Sequence, residues 1–106
     1  MQPPEHQVRI GPDNTGIWRA SAVGGGNAPC HRGHFIRWRN PAESEMILYF
    51  PEPGFFAHSD AHIPPKTEIK LEVLRGGPKT YKYVAYLVGH DDYVHGENSV
   101  PIIIID

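Results

Sequence analysis

The segment "TEIKLEVL" (67–74) decides the fold class, because its apolar and charged residues alternate almost without exception. Ile69, Leu71 and Val73 fall on one face of an extended chain, and the charged residues fall on the other. Successive side chains of a strand point to opposite faces. The segment therefore predicts a half-buried β-strand with one face toward the core and one toward water.

Six further segments have strand character, either by alternation, as Ile36 and Trp38 show, or by a run of β-branched and aromatic residues. Connectors rich in glycine and proline separate them, as expected of tight turns. We predict an all-β fold, an antiparallel Greek-key β-sandwich of about seven strands, formed by residues 1–106 as a single domain. The six segments are "HQVRI" (6–10), "IWRASAV" (17–23), "HFIRWRN" (34–40), "EMILYF" (45–50), "TYKYVAYLV" (80–88) and "VPIIIID" (100–106).

The composition excludes several classes of function. The formal net charge of −2 provides no basic face for nucleic acid, and no apolar run is long enough to span a membrane. The beginning, "MQPPEHQVRI", lacks the basic start and apolar centre of a signal peptide. We expect a protein that is cytoplasmic as the sequence stands, or periplasmic if an export signal was removed.

The chain has a single cysteine, Cys30, which cannot form an internal disulfide and has no second cysteine for a CxxC motif. The adjacent His31 could lower the pKa of the thiol and make it reactive. We favour the simpler interpretation, in which Cys30 is an ordinary residue near the start of a strand.

Three segments carry a family resemblance. "CHRGHFIRWRN" (30–40) has Gly33 at a tight turn and Asn40 at the end of its strand, and "IPPKTEIKLEVL" (63–74) leads through a proline turn into the next. "TYKYVAYLVGH" (80–90) ends in a histidine. Their order resembles that of the cupredoxins, the family of plastocyanin and azurin, although Lys66 stands where that family usually has glycine. The resemblance implies the cupredoxin sandwich.

The resemblance also implies which residues would hold blue copper, and most of them are absent. The family's cysteine position falls at or beside Leu87, and His90 matches the second histidine. Ser44 or Glu45 stands where the first histidine belongs, and no methionine follows His90. A blue-copper site needs a thiolate and two imidazoles. Cys30 precedes a strand that starts at the opposite end of the sandwich, so we expect no type 1 copper site.

The loops 58–62 and 89–96 suggest an alternative, a histidine-rich copper- or zinc-binding protein. His62, His90 and His95 with Asp91 have the ligand types of a zinc or type 2 copper site. No spacing among them is diagnostic, however, so the sequence alone assigns no metal and no cofactor.

Two other features of the sequence bear on function. The acids at 43, 45, 91 and 92 provide a conceivable carboxylate pair for a hydrolase-like enzyme, but solvated turn acids are the usual explanation. Phe55 and Phe56 lie in the loop "FPEPGFFAH" (50–58), where they either plug one edge of the sandwich or form an exposed patch for a partner or a second copy of the chain.

The sequence therefore favours a non-catalytic cupredoxin-like binding or structural module. Its ligand would be an unidentified protein or small molecule, with weak self-association left open. The histidine-rich metal-binding protein is the alternative.

Overall fold

The computed structural model describes residues 4–24, 28–96 and 100–106, which form eleven β-strands and one 3₁₀ turn at Val88–His90. No helix among these residues is long and apolar enough to cross a membrane. The all-β prediction is confirmed, with more strands than the seven segments suggested. The strands are β1 (Glu5–Val8), β2 (Ile10–Pro12), β3 (Trp18–Ala20), β4 (Phe35–Arg39), β5 (Met46–Tyr49), β6 (Asp60–Ile63), β7 (Glu68–Glu72), β8 (Lys79–Lys82), β9 (Val84–Leu87), β10 (Asp92–Tyr93) and β11 (Ile102–Ile105).

The additional strands arise in two ways. Two predicted segments are each divided, the first at Arg9 between β1 and β2 and the other at Tyr83 between β8 and β9. The second division occurs because β8 pairs with β11 whereas β9 pairs with β5 and β10. Strands β6 and β10 were not expected, since they are short and contain few apolar residues. Of the predicted connector "GGGNAP" (24–29), residues 25–27 lie outside the described part of the chain.

The strands form two main sheets and two ribbons. The first sheet has the order β1–β4–β7, the second has the order β10–β9–β5–β6, and the ribbons are β2–β3 and β8–β11. Six of the seven strand pairs described are antiparallel as expected, and the exception is β1, which runs parallel to β4 with Glu5 beside Phe35 and Val8 beside Trp38. Three isolated bridges outside the strands are parallel as well. Parallel neighbours need a long crossover connection, which the residues between β1 and β4 supply.

Trp38 lies at the centre of the core, fully buried, as the alternation in 34–40 predicts. Its ring centroid lies 5.8 Å from that of each of Phe50, Phe56 and Tyr83. The indole Nε1–H donates a hydrogen bond to the hydroxyl of Tyr83 over 3.1 Å. Because Trp38 belongs to β4 and Tyr83 joins β8 to β9, this contact connects the first sheet with the strands of the second.

Asn40 is the one fully buried polar residue in the described part of the chain. Its side-chain amide donates to the carbonyls of Ser44 and Ile63 over 2.8 and 2.9 Å, and its side-chain oxygen accepts the backbone N–H of Ala42 over 3.0 Å. These bonds attach the turn after β4 to the end of β6.

The Trp38–Tyr83 bond generates a test of the core. Tyr83→Phe removes the acceptor and leaves the indole N–H buried without a partner, which costs about 1–3 kcal/mol of unfolding free energy. Tyr81→Phe is the matched control, because Tyr81 is as buried as Tyr83 but its hydroxyl donates to the carbonyl of the exposed residue Glu52, which water reaches once the hydroxyl is removed. Urea denaturation of both variants measures the difference. An equal or larger loss in Tyr81→Phe would contradict the assignment.

Candidate functional site

A groove lies on the outer face of the second sheet, and the register of β5, β9 and β10 builds it. Ile47 pairs with Tyr86, which pairs in turn with Tyr93, and Tyr49 pairs with Val84. Paired residues point to the same face of a sheet, so these side chains form two adjacent rows pointing away from the core. The alternate residues of β5 and β9 fill the core: Met46, Leu48, Ala85 and Leu87.

The groove has a volume of about 970 Å³ and is lined mainly by apolar and aromatic side chains. Tyr49 and Tyr93 are 50% and 58% exposed, which is high for such large rings. Nothing in the described part of the chain covers these two rings further, so the groove presents them to solvent. The complete lining is Ile47, Tyr49, Val84, Tyr86, Asp91, Tyr93, Val94, His95, Val100 and Pro101.

Besides the tyrosine hydroxyls, two polar side chains line the groove, Asp91 and His95. The hydroxyl of Tyr86 donates to the carboxylate of Asp91, and this hydrogen bond raises the pKa of Tyr86. The ring of Tyr86 lies 5.2 Å from that of Tyr93, in a tilted arrangement. The backbone N–H of His95 donates to the carbonyl of Trp18 over 2.8 Å, which fixes the position of the residue.

The structure distributes the predicted metal ligands over separate places. His62 lies on β6, whereas His90 and His95 flank β10 at the opposite edge of the sheet, three strand spacings of about 4.8 Å away. The ring of His90 packs edge-on against Trp18 with centroids 5.4 Å apart. Of the four candidates only Asp91 and His95 share a site, the groove.

His62 has carboxylate neighbours of its own. Its Nδ1 lies 3.3 Å from Glu45 and its Nε2 lies 3.2 Å from Asp60, all at the surface. The hydrogen bond to Glu45, and then the one to Asp60, raise the pKa of His62 above 6.5. This arrangement suits a protonated imidazolium that donates from both nitrogens.

The acids considered for acid–base chemistry lie at the surface or half-buried. Glu43, Asp91 and Asp92 are exposed and Glu45 is half-buried. Glu43 is 3.2 Å from the ammonium group of Lys66. No buried carboxylate pair for a hydrolase-like reaction forms among these four residues.

Phe55 and Phe56 are both buried, each only 5% exposed, so the interpretation as an exposed patch is wrong. Phe56 stacks on Phe50 with centroids 4.5 Å apart, and Phe55 lies 5.0 Å from Tyr81. The backbone N–H of Leu74 donates to the carbonyl of Phe55 over 2.8 Å, which folds the loop back onto the sandwich. The two rings close the core.

The blue-copper site that the cupredoxin resemblance implies does not fit these residues. Leu87, at the position of the family's cysteine, is fully buried and carries no donor atom. Cys30 pairs with Ile105, which pairs with Lys79 at the start of the β8–β9 stretch, whereas Leu87 ends that stretch. The thiol therefore lies at the opposite end of the β8–β9 stretch from His90.

A group of ligand atoms that the sequence analysis missed surrounds Cys30. His6, Cys30 and His34 each place one ligand atom within 4.8 Å of the others, and within the described ranges no other set of three or more His, Cys, Asp or Glu residues does so. Burial raises the pKa of the Cys30 thiol to about 11, so His31 does not make it a reactive thiolate. Burial also lowers the pKa of both histidines, with neighbouring imidazoles adding to the effect.

The carboxylate contacts of His62 predict a pH-dependent contribution to stability. Because the folded-state pKa is raised, the contribution is complete below pH 6.5 and disappears as the pH rises through the folded-state value. The melting temperature of His62→Gln should therefore fall below that of the unsubstituted protein only on the acidic side. The effect should be small because the pair is exposed.

Thermal unfolding at a series of pH values measures this difference. His58→Gln, at an exposed loop position, is the control for loss of a surface imidazole. A difference between His62→Gln and the unsubstituted protein that does not change with pH would refute the prediction.

Comparison with known proteins adds no family assignment. No protein-family model matches the chain, and no curated protein sequence matches it. Function must therefore be argued from the chemistry of the sites, since a fold does not by itself determine an activity.

Proposed function

We propose that this protein is a non-catalytic binding module that holds a small organic ligand in the groove on the outer face of its second sheet. The observation that carries the proposal is the pair of half-exposed rings, Tyr49 and Tyr93, beside the apolar rows of β5 and β9. Apolar and aromatic side chains that lie partly in water gain free energy when a cover removes them from it. A bound ligand would provide that cover on the outer side.

The size of the groove favours a small molecule over a protein partner. Its volume of about 970 Å³ lies at the upper end of the range of small-ligand pockets, about 300–1,000 Å³. A standard protein interface involves roughly 20–30 residues on each side, and the groove has ten lining residues. A second copy of the chain would need a larger surface.

The lining favours a ligand with a flat apolar face and polar groups at its edge. Tyrosine rings offer large contact areas with a polar tip. Asp91 accepts hydrogen bonds, and the imidazole of His95 donates or accepts them. An aromatic or sugar ring with hydroxyl or amine substituents has this chemistry.

The proposed module is a Greek-key sandwich of the cupredoxin type without a type 1 copper site. This part of the proposal is supported by the order of the segments 30–40, 63–74 and 80–90, and by leucine at the position of the copper-binding cysteine. Binding without catalysis is supported by the surface positions of the acids near the groove, Asp91 and Asp92.

The experiment is an NMR screen of ¹⁵N-labelled protein against a library of aromatic and sugar-ring fragments. Fragments that bind in the groove should shift the backbone amide resonances of β5, β9 and β10. The double variant Tyr49→Ala with Tyr93→Ala should bind these fragments at least tenfold more weakly, because each aromatic contact contributes about 0.5–1.5 kcal/mol beyond its buried area.

Leu74→Ala is the matched control, since Leu74 is also an exposed apolar residue, 41% accessible, but is not among the groove's lining residues. Its fragment affinities should be unchanged. Three results would overturn the proposal. The first is that no fragment binds, and the second is that fragments shift amide resonances outside the groove. The third is that the amide resonances of the groove shift when only the protein concentration is raised. The last result would assign the face to self-association.

A further inference from the structure

The turn between Cys30 and His34 holds their side chains close together. The backbone N–H of His34 donates to the carbonyl of His31 over 3.0 Å, and Gly33 adopts φ +90°, a conformation that glycine accepts without strain. Asp106 donates its backbone N–H to the carbonyl of Cys30 over 2.8 Å. The turn is therefore attached to the last strand of the fold.

Parallel pairing of β1 with β4 brings His6 to the same place. Glu5 lies beside Phe35, the residue that follows His34, and the N–H of Phe35 donates to the carbonyl of Pro4 over 3.1 Å. His6 shares its face of β1 with buried Val8. An imidazole thus occupies a core-facing position where strand alternation normally places an apolar residue.

The distances between the ligand atoms suit one metal ion. Nε2 of His6 and Nδ1 of His34 are 3.1 Å apart. An ion that binds two imidazole nitrogens at about 2.0–2.1 Å in tetrahedral geometry holds them about 3.3 Å apart, and holds a thiolate sulfur about 3.6 Å from each. The ligand atoms of the cluster lie within 4.8 Å of one another, so each sulfur–nitrogen separation would need to shorten by no more than about 1.2 Å to reach these values.

The hydrogen bonds indicate where the imidazole lone pairs are. The backbone N–H of His31 approaches Nδ1 of His34 at 3.2 Å, so this nitrogen is an acceptor. His6 must then donate from Nε2 to the same atom across the 3.1 Å contact. A bound ion would take the lone pair of Nδ1 in His34, so the N–H of His31, which lies at an exposed site, would turn to water. His6 would carry its proton on its other nitrogen and free Nε2 for the ion.

We propose that His6, Cys30 and His34 bind one thiophilic transition-metal ion, Zn²⁺ or Cu⁺, through two imidazole nitrogens and the Cys30 thiolate. The thiol proton passes to solvent when the metal–sulfur bond forms, and no change of oxidation state is involved. Sulfur with two nitrogens is a donor set that favours these ions over Mg²⁺ or Ca²⁺. The site is independent of the ligand-binding groove.

The test uses tag-free, chelator-treated protein with its thiol reduced, titrated with Zn²⁺ by calorimetry and with Cu⁺ anaerobically in competition with a chromophoric chelator. The two titrations identify which ion binds more tightly. Co²⁺ serves as a spectroscopic substitute for Zn²⁺. Because the chain has one cysteine, a thiolate-to-Co²⁺ charge-transfer band assigns Cys30 as a ligand.

We expect one ion per chain. His6→Gln and His34→Gln should each weaken binding at least about 100-fold, the upper end of the loss from removing even an outer-shell partner of a metal site. The matched controls are His62→Gln and His95→Gln, which remove histidines outside the cluster and should retain the affinity.

A measurement on the unsubstituted protein tests the proposal even if a variant fails to fold. Zn²⁺ should shift the imidazole ¹⁵N resonances of His6 and His34, and leave those of His62 and His95 in place. Three outcomes would overturn the proposal: no stoichiometric binding of either ion, binding without a thiolate band in the Co²⁺ form, or an affinity that survives in His6→Gln and His34→Gln.

Discussion

The contact between Trp38 and Tyr83 is the constraint on which the arrangement of the sheets depends. It joins β4 of the first sheet to the point where β8 becomes β9, and the indole N–H has its partner there. Once Tyr83 is committed to the interior, strand alternation turns Val84 and Tyr86 outward. The composition of the outer face is thus a consequence of how the core closes.

Local alternation was sufficient to predict the core faces of two segments, 34–40 and 67–74. Ile36 and Trp38 are fully buried, and so is Val73 in "TEIKLEVL". Apolar residues at every second position mark the face of a strand that is buried. The strands that were missed, β6 and β10, owe their existence to pairing with β5 and β9. A segment of four or two residues is too short for a pattern that would predict its pairing with a distant strand.

The two sites differ in how far they could be predicted. The apolar runs of β5 and β9 are visible in the sequence, but the sequence does not show that one of their faces is only partly covered, which is what forms the groove. The cluster around Cys30 was hidden, since His6 and His34 are separated by 28 residues and meet through a parallel strand pair. The visible signals were the spacing of Cys30 and His34 and the imidazole at an apolar position of β1.

The position of β1 at the edge of the first sheet has a thermodynamic consequence. Among the described strands β1 pairs only with β4, and edge strands detach more readily than central ones in local unfolding. Detachment of β1 would carry His6 away from Cys30. Occupancy of the cluster and fraying of the chain's first strand are therefore linked equilibria, and amide exchange of residues 5–8 would slow as the ion concentration rises.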